Sequence, residues 1–106
     1  MKCLSIQLQS HATDIFLAED LIRLVKSIGR YPEIDRDEAN DNLLVLNFFT
    51  EELPALWADI QTKVLADNTM AEWIKSSTII VCEGDNEWQD YLLLSHFDES
   101  EKFDHL

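Results

Sequence analysis

Between residues 2 and 9 the chain alternates. Leu4, Ile6 and Leu8 face one way and Ser5, Gln7 and Gln9 the other, the period-two signature of a strand with one buried face. From residue 14 to residue 28 the period becomes helical. Leu17, Leu21, Leu24 and Ile28 form a stripe widened by Ala18, Ile22 and Val25. Thr13 or Asp14 can cap the start, and Gly29 suits the left-handed position that ends the helix. Residues 30–42 (RYPEIDRDEANDN) read as a loop that could hold a short edge strand at 31–34. Residues 43–49 (LLVLNFF) are the most apolar stretch and are expected to form an interior strand. A second helix starts at Leu53-Pro54, where proline is tolerated in the first turn, with a stripe of Leu53, Leu56, Trp57, Ile60 and Val64. Asn68 interrupts it. Thr69 and Glu72 have capping-box spacing for a short further piece through Lys75, carrying Trp73 and Ile74. Strands follow at 78–83 and 88–97, joined by the turn Gly84-Asp85-Asn86-Glu87.

This β-α-β-α-β-β order predicts an α/β fold of the α+β two-layer sandwich type. Its sheet is expected to be mixed, with four to five strands, parallel neighbours joined by right-handed crossovers, and two main helices on one face. A ferredoxin-like variant is one solution. With 106 residues there is room for one domain, placed at residues 1–98, and residues 99–106 read as an acidic, mobile tail that Phe103 could anchor. Two helices can cover only one face of such a sheet. Leu43, Val45 and Phe49 oppose Leu44, Leu46 and Phe48, and Tyr91, Leu93 and Phe97 oppose Leu92 and Leu94. Apolar groups are therefore expected on the uncovered face, as a binding surface, as a homodimer interface, or beneath the 30–42 loop or the tail.

Charge sharpens this picture. The formal net charge is −13, which argues against direct binding of nucleic acid or anionic membranes. Residues 1–32 hold four cations against three anions, so the remaining residues carry −14. Their acids gather as Glu33, Asp35, Asp37, Glu38 and Asp41, then Glu83, Asp85, Glu87 and Asp90, then Asp98, Glu99, Glu101 and Asp104. The first two groups, with Trp88 as an aromatic anchor beside the second, form the candidate partner-binding surface. Residues 33–41 resemble a calcium loop only superficially, since Arg36 stands among the ligands and the central glycine is missing.

No phosphate loop, GxSxG elbow or HExxH is present, and His11, His96 and His105 lack ligand-like spacing. No metal, cofactor or catalytic residue is assigned. Cys3 and Cys82 are expected as buried thiols rather than a disulfide, because the N-terminal stretch lacks the apolar core of a secretion signal and points to the cytoplasm. The function expected from these features is an acidic protein-binding module that engages a basic protein partner, as an inhibitor, an immunity protein or a nucleic-acid mimic does. The alternative is a homo-oligomeric regulatory or small-ligand-binding domain that uses the apolar sheet face.

Overall fold

In a computed structural model of the chain, residues 1–9, 18–36, 44–66, 68–84, 91–98 and 100–104 are described. The alternation at the N-terminus becomes β1 (Lys2–Leu8), with Leu4, Ile6 and Leu8 fully buried. It lies at the centre of the sheet. Ile6 stands opposite Leu46 of β3 (Leu44–Thr50) on one side and Ile80 of β4 (Thr78–Glu83) on the other. The edge strand anticipated near 31–34 forms as β2 (Glu33–Arg36), and β5 (Tyr91–Ser95) completes the order β2-β3-β1-β4-β5. A bulge between Ile80 and Val81 shifts the register of the last pair.

Every neighbouring pair is antiparallel, where a mixed sheet with parallel neighbours was expected. The helical connections do join parallel strands, but each pair is split. The strand β3 lies between β1 and β2, and β1 lies between β3 and β4. The first four strands thus have the split β-α-β arrangement of ferredoxin-like folds, and β5 adds a fifth at one edge.

The helices form a single layer. Helix α1 (Ala18–Ser27) buries Leu21, Ile22 and Val25, with Ala18, Leu24 and Ile28 half-buried against the same core. Gly29 ends it at φ +84°, while Gly29 N–H donates to Lys26 O and Arg30 N–H to Val25 O, the paired bonds of a Schellman motif. Helix α2 (Leu53–Asp59) begins with Pro54 in its first turn and runs into a π-helical turn, Ile60–Val64. Leu53, Leu56, Ile60 and Val64 are buried from this continuous stripe.

The capping box read at Thr69 and Glu72 does not form. Helix α3 (Ala71–Ser77) has Met70 at its N-cap without a side-chain cap. Asn68 organises the turn instead. Its amide nitrogen donates to the carbonyls of Lys63, Val64 and Ala66, and its oxygen accepts from Met70 N–H. An asparagine amide offers donors and acceptors at once, so it can close the end of one helix and hold the entry to the next. Buried Trp73 and Ile74 then seat α3 against the sheet core.

Arg30, just past Gly29, donates to the Asp59 carboxylate at 2.6 Å and ties the end of α1 to α2. That bond, helped by Lys63, holds the Asp59 carboxyl below the usual carboxylate range. A depressed folded-state value means stability that is present above the unfolded value, about 3.9, and lost as pH falls through the folded one. Asp59→Asn should therefore lower the urea midpoint at neutral pH, and its difference from wild type should narrow below about pH 4. A constant difference down to pH 2 would mean that the bond contributes nothing to acid sensitivity.

Candidate protein-binding face

All three helices and the π-helical turn pack on the side of the sheet that carries Leu4, Ile6, Leu8, Leu44, Leu46, Phe48 and Ile80. Strand alternation sends the remaining side chains to the other side. There β3 presents Val45, Asn47 and Phe49, β1 presents Cys3, Ser5 and Gln7, and β4 presents Ile79, Val81 and Glu83. Tyr91 pairs with Glu83 and Leu93 with Val81, so β5 extends the same surface. Phe49 is 53% exposed and Tyr91 62%. No element among the described residues lies over this face.

Three of the candidate acids are described, and all three stand here. Glu33 pairs with Asn47 and Asp35 with Val45 across the β2–β3 ladder, which puts both carboxylates on the open side. Ile34 and Arg36, between and after them, turn to the helix side, where Arg36 pairs with Glu19 of α1. Glu83 lies beyond the two central strands, roughly 15 Å from Glu33 by strand spacing. The open face thus has carboxylates on two sides and an apolar and neutral-polar middle. Asp37, Glu38, Asp41, Asp85, Glu87, Trp88 and Asp90 lie outside the described residues.

Two acids of the third cluster, Asp98 and Asp104, serve the fold. Asp104 N–H donates to Leu93 O at 2.7 Å, and Leu93 N–H donates to the Asp104 carboxylate at 2.8 Å. The segment thereby covers part of the β5 edge, a site that would otherwise offer unpaired backbone groups to another chain. The Asp98 carboxylate accepts from Ser100 N–H and Oγ, and these bonds hold its carboxyl below the usual range.

Between the acids, Ser5 Oγ donates to Asn47 Oδ1 at 2.6 Å, and Cys3 Sγ lies 3.7 Å from Ser5 Oγ. Burial first, then the negative charges of Glu83 and Glu33, push the Cys3 thiol up. Carboxylates on two different strands thus bear on the same thiol. Cys82 sits on the helix side, is 1% exposed, and forms no disulfide with Cys3. Adjacent strands place the two cysteines on opposite faces, so the expected thiols are realised, although Cys3 is only half-buried. Iodoacetamide at neutral pH should modify Cys3 slowly and Cys82 more slowly still, with Glu83→Gln speeding the reaction at Cys3. Rapid labelling of Cys82 in the folded protein would contradict this arrangement.

The residues in the middle of the face, Ser5, Asn47 and Cys3, were not singled out from the sequence as binding groups. One signal was available: Asn47 is the single polar residue in LLVLNFF. A lone amide in the most apolar strand needs a polar partner, and Ser5 supplies it from the neighbouring strand. Comparison with protein-family models, with curated proteins and with solved structures finds no match. No described helix is long and apolar enough to cross a membrane.

Proposed function

We propose that this chain is a small acidic protein-binding module that engages a basic protein partner through the open face of its sheet, as an inhibitor, an immunity protein or a nucleic-acid mimic does. One observation carries the reading. The described helices cover one side of the sheet, and the other side sets Val45 and Phe49 of β3 between Glu33 and Asp35 on β2 and Glu83 on β4, with Val81 beside Glu83 and Leu93 and Tyr91 on β5 beyond it. Apolar side chains of this kind gain from being buried against a partner, while the flanking charges guide approach and orientation. The net charge of −13 extends that attraction to any cationic surface.

A second copy of the chain complements this face less well. Two-fold pairing would set each Glu33, Asp35 and Glu83 against a surface of the same sign. The test compares wild type with the E33K/D35K/E83K variant, each immobilised and exposed to source lysate at low salt, with each retained protein then purified. The expected result is a basic protein held by wild type, released as salt rises, and lost from the variant. Retention unchanged by charge reversal would contradict the proposal. So would self-association through this face that strengthens with salt, which is the behaviour of a homodimer formed against charge repulsion.

A further inference from the structure

Near the centre of the open face, a hollow of about 220 Å³ lies between β1, β3, β4 and β5, bordered by Cys3, Ser5, Asn47, Val81, Glu83 and Tyr91. Its depth comes from β1, which places the short side chains of Cys3 and Ser5 between larger residues on the strands to either side. Val81 gives it an apolar wall. Glu83 pairs directly with Tyr91, so a carboxylate and an exposed aromatic ring stand side by side at one rim. Across the hollow, Asn47 Oδ1 accepts from Ser5 Oγ at 2.6 Å and from Cys3 Sγ at 3.9 Å, and the Ser5 oxygen, which donates its one hydrogen, keeps acceptor capacity. None of the described lining residues carries a positive charge.

We propose that this hollow seats an arginine side chain of the basic partner. The inference rests on the reading of the open face given above. A guanidinium is a flat fork with five donors, so it can bond to the Glu83 carboxylate and reach the Ser5 oxygen from the same plane. Its face can lie on the Tyr91 ring. It is also weakly hydrated and surrenders water at less cost than an ammonium group. Lysine brings a compact charge that serves Glu83 but matches neither the divided acceptors nor the ring as well. The negative fields of Glu83 and Glu33, already felt at Cys3, favour a cation at this spot over any neutral group.

The test is an NMR titration of the full chain with N-acetylarginine amide, N-acetyllysine amide and the neutral isostere N-acetylcitrulline amide. Arginine amide should produce saturable shifts of the Asn47 side-chain amide and the Val81 methyls, with a Kd on the order of millimolar. Lysine amide should bind severalfold more weakly, and citrulline amide should give no saturable shift. Glu83→Gln should weaken arginine amide about tenfold, the effect of losing one charge-assisted hydrogen bond, and Tyr91→Ala should weaken it as well. Absence of saturable shifts, or equal responses to the three compounds, would overturn the arginine seat. If that happens while E33K/D35K/E83K still abolishes retention of the basic partner, the seat falls and the docking face stands. Specific arginine binding combined with partner retention indifferent to charge reversal would support the hollow as a guanidinium site and overturn the docking face.

Discussion

Ile6→Ala is expected to destabilise the domain by about 2–5 kcal/mol, a large part of the 5–15 kcal/mol typical of whole proteins. Ile6 is fully buried on the central strand, between Leu46 and Ile80, with the helix layer above it. Truncation removes three carbons from the middle of a close-packed core, and neighbours held by two strands can collapse only partly into the space. Gln7, the next residue along the same strand, faces the open side. Gln7→Ala should change stability by no more than about 0.5 kcal/mol. Urea unfolding of both variants checks the pair. Equal losses, or a larger loss for Gln7, would mean that the two faces of β1 have been assigned the wrong way round.

Reversal of Glu33, Asp35 and Glu83 to lysine should slow association with a basic partner by about tenfold or more at low ionic strength, within the range that electrostatic steering spans. The three positions are exposed, so the substitutions should leave the fold intact. At 0.15 M salt the Debye length is about 8 Å, so charges at the rim act over a shorter distance and the rate ratio should shrink. Dissociation should change less than association, because steering acts on the approach while contacts in the middle of the face govern residence. A ratio that does not vary with salt would remove steering from the explanation.

The elements themselves were legible because burial imposes period. Leu4, Ile6 and Leu8 on one side of β1, the Leu21–Val25 stripe of α1, and Gly29 at its end each follow from local geometry that a single sequence displays. The apolar residues left over on β3 and β5 likewise pointed to a face that no described helix covers. Strand neighbours were not legible. Periodicity says which face of a strand is buried but not which strand lies beside it, and the insertion of β3 between β1 and β2 depends on tertiary pairing. The start of α3 was misread for a related reason. Thr69 and Glu72 have the spacing of a capping box, but Asn68 already satisfies the carbonyls behind it and the Met70 N–H ahead. Among the candidate acids, spacing grouped Glu33 with Asp35. It could not show that Glu83, fifty residues on, shares their face, nor that Ser5 and Asn47 meet between them.

The claim that the open face is the contact surface is tested most directly by cross-saturation NMR on the complex with the basic partner. Saturation of the partner's protons should attenuate the methyl signals of Val45, Val81 and Leu93, and leave those of Ala55, Ala58 and Ala66, exposed on the helix layer, at full intensity. Attenuation of the helix-layer alanines with the open-face methyls untouched would contradict it.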